Sequence, residues 1–323
     1  DCLRGLVGSE MCIRDSFMTV WARKFADHMK EWSGGKIEIE VYPYGTLGAT
    51  GDINELAQMG VVQFVFSDHA WISSFVPQAQ ALALNYIFPT EKVPEVLDWM
   101  ARNGEFLPLL ENAFRKNDLV PLAIMFEGWQ WVTSKKEIAT LDDMKGLKLR
   151  LMSSKLLVED YKAYGASPTP MSYGEVYSGL QMGLIDAQVN PLFAIYSMKF
   201  YEVQDYVTQL KSEPFIGIPT VNQAFFESLT PEAQAEMRNF WIDAIIPAGN
   251  WITERNASDM EKMKEAKASL KFNVLDDETI AKFKVQAETV YPEFAKIGGE
   301  GAQAVLDALL GDIENARKAL NIN

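Results

Sequence analysis

From Phe17 onward the hydrophobic period of the chain switches back and forth between helix and strand, and this alternation constrains the fold most. Phe17, Trp21, Phe25, Met29 and Trp32 recur at one-face helical spacing, and Gly34 and Gly35 supply a stop. Ile37, Ile39 and Val41 then alternate with Glu38 and Glu40, the pattern of a strand with one buried face. A turn rich in glycine (Gly45, Gly48, Gly51) leads to a short helix through Ile53, Leu56 and Ala57, stopped at Gly60 and followed by a buried strand over Val61–Phe66. Helix, strand, helix, strand predicts an α/β fold with mostly parallel sheets.

The same logic places strands at Leu119–Phe126, Leu147–Met152 and Ile185–Val189. Between the last two, Ser172 and Glu175 have capping-box spacing ahead of Val176, Tyr177 and Leu180. Thr230-Pro231-Glu232 opens a helical pattern that runs toward Leu270, read as one long helix kinked near Pro247 or as two abutting helices. Helices at about Asp277–Phe294 and Gly301–Leu320 close the chain, with Gly298–Gly301 as the turn between them. At 323 residues the chain exceeds one comfortable core, so two domains are expected.

The first sixteen residues, Asp1 to Ser16, differ in composition and hold both cysteines, Cys2 and Cys12. They lack the apolar core and small-residue cleavage site of a secretory signal. They resemble a peptide that arises when adapter sequence is translated, so we read 1–16 as a non-native head outside the fold. The cysteine-free remainder suits an oxidising compartment.

A net charge of −14 argues against nucleic-acid binding and requires a local cationic anchor for any anionic ligand. No apolar run is long enough to insert into a membrane. His28 and His69 lie outside metal-ligand spacing, and no cofactor motif, nucleophile elbow or phosphate loop is present, so no metal, cofactor or catalytic residue is expected. Asn256-Ala-Ser258 matches a glycosylation sequon of the kind chance often produces.

Three segments in the middle of the chain carry the functional signal. They are Lys145-Gly-Leu-Lys-Leu-Arg150, Gly165-Ala-Ser-Pro-Thr-Pro-Met171, and Tyr173-Gly-Glu-Val-Tyr177 running on through Gln181, Asp186, Asn190 and Pro191. With Tyr201-Glu-Val203 after them, and Ser33–Lys36, Val41–Pro43, Gly45–Gly48, Gln58–Gly60 and Phe226–Gln234 on either side, this ordered set resembles the solute-binding proteins of TRAP transporters, the DctP-type family. The resemblance implies an α/β, two-lobed periplasmic-binding-protein fold with hinge strands and a long interdomain helix. Lobe I would take 17–127 and 213–253; lobe II would take 128–212 and 254–323, with the C-terminal helices. It further implies a periplasmic monomer, not an enzyme, that captures a small organic acid for TRAP permease subunits. The competing readings are an ABC-type receptor, a ligand sensor and an α/β hydrolase.

Residue by residue, Arg150 is the expected anchor. Leu147, Leu149 and Leu151 take one strand face, so Arg150 takes the other, and its planar fork suits a carboxylate. Asn190 follows the next strand with an amide that can donate or accept. The resemblance adds Tyr173, Asp68 and, more weakly, Asn222. Trp71, Trp129 and Trp131 could wall a cleft; Gln130 alternates with the last two, so only one of those sets can face it. Many family members carry an arginine where this chain has Glu127-Gly-Trp-Gln130-Trp131.

Overall fold

The computed structural model describes residues 3–9, 16–42, 45–48 and 50–322, with backbone only at 3–9 and 50. Cys2, Cys12 and the Pro43 landmark lie outside the described residues.

Eleven strands are described: β1 Leu3–Ser9, β2 Ile37–Tyr42, β3 Phe64–Asp68, β4 Leu119–Pro121, β5 Met125–Ser134, β6 Lys148–Leu151, β7 Ser167–Pro170, β8 Ala187–Pro191, β9 Tyr206–Gln209, β10 Pro214–Asn222 and β11 Lys271–Val274. Their order is β2-β1-β3-β10-β5-β8-β6-β7, with β4 beside β10 and β9 joining β5 to β11. Parallel pairs form within each half, β1 with β2 and β3, β6 with β7 and β8, and β9 with β11. Every antiparallel pairing described involves β5 or β10. The sheets are therefore mixed, because β5 and β10 run from one half to the other and back. The halves are the two lobes.

Several predicted elements appear with their predicted chemistry. The first helix runs Phe17–Trp32; the Ser16 side chain caps Thr19 N at 3.3 Å, and Phe17, Trp21, Phe25 and Met29 are buried. It ends as Gly34 and Gly35 enter the left-handed region, at φ 62° and 82°. Thr230 caps Ala233 N at 3.3 Å and starts a continuous helix Pro231–Ala266 that carries Pro247 inside it. That helix packs on β5 and on helices of both halves, Val93–Asn103 in the first and Leu192–Ser197 in the second. At Gly249 an added Cβ would lie 2.3 Å from Pro94, so this contact admits only glycine.

Three expectations are corrected. The head excluded from the fold supplies β1, which fills the position between β2 and β3, Leu3 to Gly8 pairing with Ile37 to Tyr42. Two parallel strands one strand-width apart leave a vacancy that any extended backbone can fill with ladder hydrogen bonds. The C-terminal helix Ala302–Leu320, assigned to lobe II, packs on Val93–Asn103, Phe106–Arg115 and Pro77–Ala83 of lobe I. Asp312 ties it there, its carboxylate accepting from Glu105 N at 3.1 Å and Phe106 N at 2.8 Å. Around Ser172 the chain forms a 3₁₀ turn, Tyr173–Glu175, before the helix Val176–Gln181. Ser172 Oγ there bonds the Glu175 carboxylate directly at 2.5 Å, so the capping box does not form. Asn256, whose sequon was read as a chance match, has an internal role: its Oδ1 accepts from Phe193 N at 2.8 Å and its Nδ2 donates to Glu127 O at 3.4 Å.

Candidate functional site between the lobes

Strand register locates the site. Asp68, at the carboxyl end of β3, is level with Gly217 of β10, and Gly217 is level with Met125 of β5. Pro191, at the carboxyl end of β8, is level with Gln130 of β5. The carboxyl ends of both lobes' strands thus converge on the short stretch of β5 from Phe126 to Trp129. Ligands of open α/β sheets bind beyond the carboxyl ends of strands, so this stretch is the floor of the candidate site.

The floor is irregular. Pro214 pairs with Trp129 but Ile216 pairs with Phe126, so β5 carries a bulge at Glu127–Gly128. Gly128 sits at φ 111°, and an added Cβ would lie 2.3 Å from Asn256 Nδ2. The bulge turns the wholly buried Glu127 over Gly217, where an added Cβ would meet Glu127 Oε1 at 2.1 Å. Glycine at 217 makes room for that carboxylate.

From lobe I, β3 delivers Asp68, His69 and Trp71. Asp68 Oδ1 accepts from Ala70 N at 2.8 Å and Trp71 N at 2.9 Å, which sets the turn after the strand. His69 is wholly buried and packs edge-on against Phe215, the residue opposite the bulge, at 5.7 Å between ring centres. Its Nδ1 lies 3.1 Å from the Ile216 carbonyl, and burial pushes its pKa down to about 4 despite that hydrogen bond. Trp71 is half-buried, and its indole Nε1 has no hydrogen-bond partner among the described residues.

From lobe II come Arg150 and Asn190, both wholly buried. Arg150 pairs with Gln188 in parallel register, so Arg150, Gln188 and Asn190 share one face of β6 and β8. Leu149 and Leu151 point to the other face, as the alternation requires. Arg150 Nε donates to Met171 O at 3.0 Å, which fixes the plane of the guanidinium.

The remaining predicted residues separate. Tyr173 is buried in lobe II, its hydroxyl donating to Ala194 O at 3.2 Å and its ring edge-on to Phe200. Trp129 is half-buried against Phe126 beside the bulge. Trp131 packs on Phe272 of β11, in the core of lobe II. Gln130 is buried with its backbone N–H on Glu213 O at 3.1 Å, and its side-chain amide has no hydrogen-bond partner among the described residues. Asn222 is a correction: it lies at the far end of β10, beside the start of β3, where it caps Phe225 N at 2.9 Å and holds the Ala57 and Gln58 carbonyls. Its amide is consumed by closing that end of the lobe.

His69 and Gln188 have no motif in the sequence. Only pairing across distant strands brings them to this place. Among the described residues there is no cluster of three or more His, Cys, Asp or Glu that could hold a metal, and no helix is long and apolar enough to cross a membrane.

Comparison with known proteins gives a consistent picture. A family model described as "DctP: Bacterial extracellular solute-binding protein, family 7" matches residues 11–297. The ectoine/5-hydroxyectoine-binding periplasmic protein UehA of Ruegeria pomeroyi is 34% identical over 302 residues, covering 91% of this chain and 86% of that protein. The ectoine-binding periplasmic protein TeaA of Halomonas elongata is 33% identical over 295 residues, with the same coverages. Its high-resolution structure, from the TeaABC TRAP transporter, superposes with a TM-score of 0.90, covering 97% of this chain and 99% of that one. The C4-dicarboxylate-binding protein DctB of Bacillus subtilis is 31% identical over 284 residues, covering 86% of this chain and 78% of that protein.

Proposed function

We propose, from the premise that this chain belongs to the DctP family of bacterial extracellular solute-binding proteins, that it captures a small carboxylate-bearing organic solute and hands it to a TRAP-type permease. The chain is a periplasmic solute-binding protein of the TRAP type, a transport component and not an enzyme.

The observation that carries the solute class is Arg150. A guanidinium is seldom taken wholly out of water unless it serves a matching acceptor. Arg150 is 0% exposed, stands near the carboxyl end of β6, and is held in one plane by Met171. A carboxylate fits such a fork with two parallel charge-assisted hydrogen bonds. Trp71, with its indole N–H, and the half-buried Trp129 add the apolar wall and extra donor that such pockets use.

In this reading the solute is captured on one lobe and covered by the other, with β5, β10 and the long helix as the connections that bend. Closure removes water, lowers the local dielectric and strengthens the ion pair. The relatives named for ectoine and for C4-dicarboxylates share this solute chemistry, since each solute carries a carboxylate.

A thermal-shift screen tests the reading. A solute that binds only the folded state raises the melting temperature, by an amount that grows with concentration over Kd. Organic acids and zwitterions should raise it, and uncharged sugars should not. A rise with neutral sugars and none with any carboxylate would reject the proposal.

A further inference from the structure

We infer that the joint between the two lobes is held closed by two neutral carboxylic acids, Asp160 and Glu213, and that loss of their protons swings the lobes apart. The inference rests on the reading of two lobes closing over a solute, but on neither the solute's identity nor Arg150 as its anchor.

One side of the joint comes from lobe I. Its 3₁₀ turn Pro77–Ala83 packs against the lobe II helix Lys155–Ala163 and against β10. Just beyond that turn, Tyr86 N donates to Ser212 O at 2.6 Å, and the Tyr86 hydroxyl donates to Leu210 O at 3.1 Å. The Tyr291 hydroxyl donates to the Asn85 carbonyl. The two Tyr86 bonds stitch lobe I to the crossover that carries the chain into β10. Glu213 ends that crossover: its carbonyl accepts from Gln130 N of β5 at 3.1 Å, and Pro214 after it opens β10. It stands where both connecting strands pass between the lobes.

Asp160, on the helix, and Glu213 are each 0% exposed. All four of their carboxylate oxygens lack a hydrogen-bond partner among the described residues, as do both polar atoms of the buried Asn85 amide. A neutral acid tolerates such a place, but an ionised carboxylate without cation or donors does not. The charges acting on the pair are negative, Glu159 at Asp160 and Asp160 at Glu213. Around them stand the phenols of Tyr86, Tyr161, Tyr164 and Tyr291, which burial keeps protonated. The neighbouring lysines have other partners, Lys162 at 2.8 Å from Glu159 and Lys211 at 3.9 Å from Asp277. The helix Asp277–Glu288 buries Phe283 and Ala287, and its Glu288 adds a further negative charge at Tyr291.

An ionised pair gains water if the Tyr86 segment lifts from the helix, and that lift moves lobe I against lobe II. In the arrangement described, Asp68 and His69 of lobe I and Arg150 and Asn190 of lobe II are all 0% exposed, so the lobes stand closed over the site. Protonation therefore favours the closed arrangement, and ionisation favours the open one. Apparent affinity scales with the fraction of molecules able to close. Capture should strengthen as pH falls, and release should follow as it rises.

The test is small-angle X-ray scattering on the full chain without added solute, from about pH 5 to about pH 9 at fixed ionic strength. Far-UV circular dichroism is recorded on the same samples. The radius of gyration should start near the compact value of about 20 Å for 323 residues and rise with pH while the dichroism stays constant. The double variant Asp160→Asn/Glu213→Gln stays neutral, so it should keep its low-pH radius throughout. If the double variant fails to fold, Glu213→Gln alone should still move the expansion to higher pH, and an unmoved midpoint overturns the inference. A constant wild-type radius overturns it too, and leaves solute capture to the thermal-shift screen. So does a double variant that expands alongside wild type. Expansion with loss of the dichroism signal would be unfolding and not lobe movement, which also overturns it.

Discussion

Gln80, from lobe I, accepts through Oε1 from the Ser154 hydroxyl at 2.8 Å and from Leu156 N at 3.0 Å, at the head of the lobe II helix Lys155–Ala163. Its Nε2 donates to Pro77 O at 3.1 Å, so the amide is fixed in that sense. Gln80 and Ser154 are both buried, and the pair joins the lobes in addition to β5 and β10. Gln80→Ala would leave two buried donors without an acceptor. It should lower unfolding stability by about 1–3 kcal/mol, read from urea midpoints at unchanged m-value. An unchanged midpoint would mean that the contact contributes nothing net.

Arg150→Ala should weaken binding of whichever carboxylate the screen identifies by about 2–4 kcal/mol, the cost of truncating one partner of a buried charged pair. Arg150→Lys keeps the charge but loses the planar fork, so it should fall between wild type and alanine. Calorimetry measures both. Affinity untouched by the alanine change would remove Arg150 from the site.

Legibility in the sequence followed the range of the interaction. The helix Phe17–Trp32 and the long helix from Pro231 were readable because caps and periodicity are local. β3 was placed early, at 61–66, because the left-handed turn at Gly60, φ 72°, pushes the strand start to Phe64 and leaves Val61 exposed. β7 and β11 were missed: each has four residues of which none is fully buried, so neither shows an apolar run. The leucine alternation put Arg150 on the opposite strand face, whereas its role as anchor came from the family resemblance and not from the pattern. The buried hydrogen bonds linking Gln204, Thr133, Gln188 and Asn190 were not readable, because they depend on β5 meeting β8 and the loop before β9. Asn222 was misassigned because a helix cap and a ligand contact ask for the same side chain.

That misassignment gives its own test. Asn222→Ala loses the cap on Phe225 and the bonds to Ala57 and Gln58, and should cost about 1 kcal/mol of stability or somewhat more. Solute affinity should stay at the wild-type value. A loss of affinity in a stably folded Asn222→Ala protein would return the residue to the site.

Asp160 and Glu213 predict a pH dependence. Both are wholly buried, and neither carboxylate has a hydrogen-bond partner among the described residues. Burial raises each well above the usual range; the Asp160 charge adds to the rise at Glu213, and Glu159 adds to it at Asp160. Tyr86, Tyr161, Tyr164 and Tyr291 surround them with further groups that resist ionising, chiefly through their own burial. The folded state therefore holds protons that the unfolded chain releases. Their contribution to stability is complete below the ordinary carboxylate range and is lost as pH rises through the raised values. Glu213→Gln stays neutral throughout, so its stability relative to wild type should climb with pH, by up to about 1.4 kcal/mol per unit for one proton. A difference that stays flat between about pH 5 and pH 9 would show that Glu213 ionises normally.

Gly128 joins backbone strain to the shape of the site. At φ 111° a side chain is strained, and an added Cβ would also stand 2.3 Å from Asn256 Nδ2, the amide that bridges Phe193 N and Glu127 O. Gly128→Ala should cost about 2 kcal/mol or more by urea unfolding, combining backbone strain with displacement of the Asn256 side chain. Adding Asn256→Ala removes the collision but not the strain, so the double variant should be more stable than the sum of the two single losses implies. The bulge aims Glu127 and Trp129, so solute affinity should fall in Gly128→Ala and stay low in the double variant. Strict additivity in the two losses would mean that Gly128 and Asn256 do not act on each other across the floor of the site.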